Sequence, residues 1–330
     1  MRITSQYTAT FLFIILALSL CAYGAEPATQ RGVMVRVATI YISPDPNSAK
    51  LAQIERGREV AILEHSNQWL HVYATLTGQR SENPITEEDS DIADVRDVSG
   101  WILGKGVVTA STPKGDQILF GAAADTEAEA SRRGGRKGAA GDAFFLYLRT
   151  EEYFPNSPLA GEALYRAADI KWQLDRLDVI SRPSAHARQA YLREGMNQDL
   201  MKKVMKKYPH TKWADRAAFH LIENKLCGDW QGSSSCPKKE SEIYEKYAHE
   251  RPESPDAPEA LYNAAWRQAA LIQIYKTEEK AKDSEEAKAH AIGLAQQVIS
   301  QYPQSEWSDR AQTLLFLVQQ DIPMYGNAVE

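Results

Sequence analysis

The sequence predicts a fold of mixed class, a small β-barrel followed by an all-α solenoid of helical hairpins, behind a short export leader. Three observations carry this. Residues 33–110 are a run of short segments rich in Val, Ile, Thr and aromatics, cut by turn residues. From residue 144 onward the apolar residues recur at helical spacing instead. One phrase built on Pro and Ser or Thr then recurs four times in that second half.

Residues 1–24 read as a signal peptide. Arg2 gives a positive start, residues 11–20 (FLFIILALSL) are wholly apolar, and Ala22-Tyr23-Gly24 follows as a small-x-small cleavage site. The apolar run is too short to span a bilayer permanently, which takes about 20 residues. Cleavage near Gly24 or Ala25 is expected to leave an exported chain, periplasmic or outer-envelope associated, with no transmembrane span. Lipidation at Cys21 is the alternative. It is disfavoured because Leu20, in Leu18-Ser19-Leu20-Cys21, stands where a lipoprotein signal has a small residue. The 38 Lys and Arg against 44 Asp and Glu give a formal net charge of -6 and no electrostatic case for nucleic acid, which wants a basic face.

Without Cys21, two cysteines remain. Cys227 and Cys236 flank the polar stretch GDWQGSSS. In an oxidising compartment an even count at short spacing reads as a disulfide. Closing so small a loop stabilises the fold by about 2–3 kcal/mol through the unfolded chain. Two thiols alone do not fill a tetrahedral metal site, and no His lies nearby at ligand spacing, so no metal or cofactor is expected.

Residues 33–110 divide into five expected strands: VMVRVATIYI, KLAQIE, REVAILEH, QWLHVYATL and SGWILGKGVVT. Gly57, Trp69 with Val72, and Gly100-Trp101-Ile102 resemble the Gly turn, the Trp-x-x-Val strand and the closing Gly-Trp-Ile of bacterial SH3-like domains. Where such a domain has Asn-Val-Arg before a Pro, this chain has Tyr41-Ile42-Ser43, with Pro46 the firm match. That resemblance implies peptidoglycan as a ligand, with Tyr41, Trp69, Tyr73 and Trp101 as its contact face; barrel core is the rival role for the two tryptophans. An insert at 78–98 carries Glu82, Glu87, Glu88, Asp89, Asp91, Asp94 and Asp97, lacks the calcium-loop order, and reads as a solvated loop. Residues 111–141 end in SRRGGRKGAAG and read as a flexible basic, Gly-rich linker.

The recurring phrase is FPNSPLAGEALYRAA, YPHTKWADRAAFHLI, RPESPDAPEALYNAA and YPQSEWSDRAQTLLF, within residues 142–320. Its Pro ends one helix, since it lacks an amide hydrogen and restricts the residue before it. Ser157, Thr211, Ser254 and Ser305 are then expected to cap the next helix. Acids fall in the first turn, where the helix dipole favours them. Behind each cap lies a stripe at i, i+3, i+4, i+7 and i+8: Ala160 to Ala168, Ala214 to Ile222, Ala257 to Ala265, and a worn copy made of Ser308, Ala311, Gln312, Leu315 and Phe316. Trp213 and Trp307 share one slot, which predicts packing between hairpins.

The phrase resembles exported bacterial tetratricopeptide repeats, of the kind found in outer-membrane assembly lipoproteins and periplasmic envelope coordinators. Pro155, Pro209, Pro252 and Pro303 stand 54, 43 and 51 residues apart, beyond the about 34 of a regular array. Extra residues around 181–194 and 276–286 therefore lengthen the hairpins or add a helix, and residues 321–330 form a tail. No HExxH or Gly-x-Ser-x-Gly occurs, and the histidines are scattered. The resemblance implies a non-catalytic envelope adaptor whose partners are proteins or peptides. Its rivals are an outer-membrane lipoprotein aiding membrane-protein assembly and an accessory subunit of a cell-wall hydrolase.

Overall fold

The computed structural model describes residues 30–77, 95–181, 198–227, 230 and 232–325. The expected leader with Cys21, residues 78–94 of the acidic insert, 182–194 and the end of the tail lie outside the described residues. The chain forms two compact units. One includes Ala38–Ile54 and Glu59–Lys105; the other is made of Val33–Val37, Glu55–Arg58 and Gly106–Glu330.

An antiparallel sheet comes first, followed by helices. Its strands are β1 (Gln30–Met34), β2 (Ala38–Tyr41), β3 (Lys50–Ile54), β4 (Glu59–Ser66), β5 (Trp69–Thr77), β6 (Val95–Leu103) and β7 (Val107–Val108), in the order β3-β2-β6-β5-β4-β1-β7. Strand alternation sends Ile40, Val60, Ile62, Leu70, Val72, Ala74 and Ile102 to one buried face. Among the described residues seven strands stand where five were expected, because two segments divide. The first breaks after Met34, where the Val35 amide donates to the Gly106 carbonyl at 2.9 Å; the last breaks at Gly106, whose φ is +89°. Residues Val95 to Val98, expected in the loop of the insert, pair with Thr77 to Ala74 and extend β6.

The expected flexible linker over 111–141 is mostly helix. Helix α1 (Gly115–Ala130) buries Leu119, Ala123 and Thr126, one stripe at i, i+4 and i+7, and packs on α2 (Ala139–Tyr153). In the basic run after it, Arg136 is spent on Glu129 at 3.3 Å and Asp142 at 2.8 Å, which pins the turn between the two helices.

Among the described residues four helical hairpins follow: α2 with α3 (Ala160–Ser181), α4 (Asp199–Lys207) with α5 (Lys212–His220), α6 (Ser235–Glu250) with α7 (Ala257–Thr277), and α8 (Ala281–Gln301) with α9 (Glu306–Gln319). Each turn is one copy of the phrase. Helix α3 packs on α2, α4 and α5, and α7 on α6, α8 and α9, so the second helix of the first and of the third hairpin also touches the hairpin that follows. The extra residues at 276–286 are absorbed by long helices, 21 residues each in α7 and α8. The alanines let these helices approach closely: Ala160, Ala163, Ala167, Ala257, Ala260, Ala264 and Ala265 are fully covered. The worn fourth stripe turns instead onto Ser308, Ala311, Leu314 and Val318, the side on which α9 packs against α7 and α8, leaving Phe316 58% exposed.

The residue before each Pro reaches back to the preceding helix or turn. Phe154 packs on Gly115, the Tyr208 hydroxyl donates to Glu151 at 3.1 Å, Arg251 meets Asp215 at 3.3 Å, and the Tyr302 hydroxyl donates to the Pro252 carbonyl at 2.8 Å. The tryptophan slot adds a second period. Trp213 stacks on Tyr165 at 5.6 Å and Trp307 on Tyr262 at 5.2 Å, with Arg216 and Arg310 over the indoles. The array is thus two similar two-hairpin blocks.

Thr211 accepts from the Ala214 amide at 3.2 Å and Ser305 from the Trp307 amide at 3.3 Å, each at the start of its helix. Ser157 and Ser254 sit differently from the expected caps. A turn containing Pro158 or Pro255 separates them from the helix, and their hydroxyls accept the Leu159 and Asp256 amides at 3.1 Å, closing that turn.

The first-turn acids do not all gain from the helix dipole. Burial, with Asp256 and Glu306 nearby, pushes the Glu259 carboxyl up to about 7 against the opposing pull of Arg310. A carboxyl whose folded pKa is raised holds its proton more tightly in the fold than in the unfolded chain, so stability falls as pH rises from about 4.5 to about 7. Glu259→Gln is therefore expected to stabilise by about 1–2 kcal/mol at pH 8 and to change nothing at pH 4, the figure being discounted for partial solvent contact. Urea unfolding at both pH values reads this directly, and an equal effect at the two would overturn it.

Candidate functional sites

The first candidate site lies in the sheet unit. Residues directly opposite on antiparallel strands share a face. Trp101 faces Tyr41 of β2 on one side and His71 of β5 on the other, and His71 faces Glu64 of β4. Trp69, His71 and Tyr73 follow one another at i, i+2 and i+4, so all four expected aromatics stand on the face opposite Leu70, Val72 and Ile102. On that face Trp101 is half-buried, while Trp69 is among the buried core residues, with Tyr41 packed edge-on to it at 5.6 Å. His71 lies flat on Trp101 at 4.9 Å and is held there by Ser99 Oγ, 3.1 Å from its Nε2. Tyr73 is 41% exposed.

A polar edge completes this strip. Asp97 accepts from Thr75 Oγ1 at 2.7 Å and from the Tyr73 hydroxyl, which raises the tyrosine pKa and lowers that of the carboxyl. Tyr73 is thus exposed and Tyr41 and Trp101 are half-buried beside fixed hydrogen-bonding groups, and these rings are the reachable part of the strip. His71 and Ser99 were not singled out from the sequence, although the two-residue alternation from Trp69 through Tyr73 already placed His71 between them.

The second candidate site is a groove of about 610 Å³ in the helical unit. Its walls are α4, through Lys202 and Met205, and α6, through Ile243, Lys246 and Tyr247; its floor is Leu221 and Ile222, just past α5. It exists because hairpins two and three are bridged by side chains where other neighbours pack helix on helix. The Tyr247 hydroxyl donates to the Asp215 carbonyl at 2.9 Å, and the Phe219 ring lies 5.2 Å from that of Tyr247. No sequence motif announced this groove, since its walls come together only through the stacking.

Beside the third hairpin, Cys227 and Cys236 form a disulfide with a Cα–Cα distance of 6.0 Å. Its loop is tied down twice. The Cys227 amide donates to Glu240 at 2.8 Å, and Glu240 accepts Arg267 Nε, also at 2.8 Å; both side chains of that ion pair are buried. Farther on, the amide and hydroxyl of Ser234 both bind the Glu278 carboxylate, whose pKa is held down to about 2 chiefly by Lys280.

No protein-family model and no curated protein sequence matches this chain. Among solved structures it is similar to the DHF58 filament at 13% identity, covering 62% of this chain and 91% of that one with a TM-score of 0.23. It is also similar to the de novo designed helical repeat protein DHR64, at 15% identity, covering 63% and 94% with a TM-score of 0.18. Likeness at these TM-scores carries no argument about fold or function.

Proposed function

We propose that the chain is a non-catalytic adaptor of the bacterial cell envelope. In this reading the helical half is a tetratricopeptide-like array that holds a protein or peptide partner. The sheet is an SH3-like module that holds a second ligand, peptidoglycan. The observation that carries the proposal is the groove between α4 and α6: it is open, its floor is apolar, and its rim is charged. The aromatic strip of Tyr41, Trp69, Tyr73 and Trp101 supports the second half, because sugar rings and aliphatic peptide groups both stack on such surfaces. Export rests on the three-part leader read from residues 1–24 and on a disulfide suited to an oxidising compartment.

A photo-crosslinking residue placed at Gln198 or Glu250, on the two sides of the groove, tests the first half in intact cells. The expected result is the same adduct from both positions and none from Gln319, on the exposed side of α9. Adducts of equal yield at all three positions would count against the groove. For the second half, the mature protein is expected to sediment with purified peptidoglycan and Trp101→Ala to lose that retention; retention no greater than that of an unrelated periplasmic protein removes the wall ligand from the proposal.

A further inference from the structure

The charge on the groove says what kind of partner it takes. Its lining carries four cations, Lys202, Lys225, Lys246 and Arg251, and one carboxylate, Glu250. Arg251 is engaged by Asp215 and Glu250, both at 3.3 Å, and lies over Tyr247, so it is part of the wall. Lys246 has only an exposed contact with Glu250 at 3.8 Å, in which the lysine side chain is 74% accessible. Lys202 and Lys225 have no carboxylate partner among the described residues. Three lysines thus stand at the edge of an apolar floor, in a chain whose formal net charge is -6.

The shape narrows the partner further. Both walls are helices, and on each the lining residues fall on one stripe: 198, 202 and 205 on the α4 side, and 243, 246, 247, 250 and 251 on the α6 side. A helix laid between them packs its apolar stripe onto Met205, Leu221, Ile222, Ile243 and Tyr247, as helices seat in helical grooves generally. Its flanks then meet Lys202, Lys225 and Lys246. A flat or convex basic patch would suit a lipid surface; a concave groove with an apolar floor suits a segment with one apolar face. We infer that the groove is a receptor for an acidic amphipathic helical segment of another protein. This rests on the adaptor reading above and specifies the chemistry of its partner.

The test is a titration of the mature full chain by fluorescence anisotropy with a labelled synthetic helix carrying Leu at i, i+3, i+4 and i+7 and Glu on both flanks. The same peptide with Lys for Glu, and a scrambled acidic peptide, serve as comparisons. The acidic helix is expected to bind, and both others at least about tenfold more weakly. Reversing the rim with Lys202→Glu, Lys225→Glu and Lys246→Glu is expected to weaken the acidic helix about tenfold or more and to improve the Lys peptide. These three side chains are exposed, so circular dichroism and Tm stay unchanged. Absent binding of the acidic helix, equal affinities for the three peptides, or an unaffected triple variant each overturn the inference. Binding to phosphatidylglycerol vesicles that the triple variant loses, and that the acidic helix does not compete, overturns it in favour of a membrane surface. If the peptide fails while Gln198 and Glu250 still give their common adduct, this inference falls and the adaptor reading stands; loss of both removes the reading itself.

Discussion

Replacing Glu240 with alanine is expected to cost the fold about 3–5 kcal/mol, enough to threaten folding at physiological temperature. Glu240 is 1% exposed and carries two bonds at once, to Arg267 Nε and to the Cys227 amide. Its removal leaves a guanidinium that is only 4% exposed without its counter-ion, still lying 4.6 Å over the Tyr244 ring and donating to the Asn263 carbonyl. The desolvation cost of that charge then stands uncompensated. The disulfide loop also loses an acceptor at its first residue, which costs about 1–3 kcal/mol where the amide is shut from water. Two further variants separate these contributions. Glu240→Gln keeps an acceptor for Cys227 but removes the charge, and is expected to fall between alanine and the parent. The double variant Glu240→Gln with Arg267→Met removes both charges and is expected to recover most of the loss, because a buried ion pair is worth little beyond an apolar replacement of similar volume. Urea unfolding gives all three values. A loss below about 1 kcal/mol for Glu240→Ala would show that water or another carboxylate compensates Arg267 once Glu240 is gone.

The ion pair belongs to the part of the molecule that sequence patterning could not reach. What patterning reached was local. Pro, then Ser or Thr, then alanines at helical spacing is a complete instruction for stopping one helix and starting another, so the turns at 154–159, 208–211, 251–256 and 302–305 were legible. Trp213 and Trp307 were legible for a related reason: two bulky rings in one slot of an alanine-rich phrase need the same partner, and each found a tyrosine of the preceding phrase. Helix α1 was not, because its apolar residues run right round the cylinder. Ile118 stays 42% exposed beside a fully buried Leu119, so no clear stripe competes with the glycines and arginines that follow. The groove was invisible for a different reason. Lys202 and Lys246 are far apart in sequence, and nothing in either helix alone says that α4 and α6 leave space between them. The aromatic strip falls between these cases: alternation placed Trp69 and Tyr73 on one face, but only strand register, with Trp101 opposite both Tyr41 and His71, identifies that face as the outer one.

Gly57 shows how a residue noticed for its position gains a physical reason. Gly57→Ala is expected to destabilise by about 2–4 kcal/mol. Its φ is +74°, a conformation that costs any residue with a Cβ about 1–2 kcal/mol. The turn cannot easily relax, since the Gly57 amide donates to the Met34 carbonyl at 2.7 Å and the Met34 amide donates to the Arg58 carbonyl at 3.0 Å. A methyl added there would stand 2.7 Å from the Phe145 Cβ and 2.9 Å from the Leu146 amide nitrogen, inside α2. Phe145 in turn has the Arg58 guanidinium 4.0 Å over its ring, so moving the helix away to make room loosens that contact as well. Overpacking of this kind adds about 1–3 kcal/mol. Gly134 supplies the control, because its φ is +76° and nothing lies within 4 Å of where its Cβ would be. Gly134→Ala then pays the conformational cost alone, about 1 kcal/mol, and the difference between the two variants isolates the close approach to α2. Equal losses for Gly57→Ala and Gly134→Ala in urea unfolding would mean that left-handed strain, and not the contact with Phe145 and Leu146, is why the turn requires glycine.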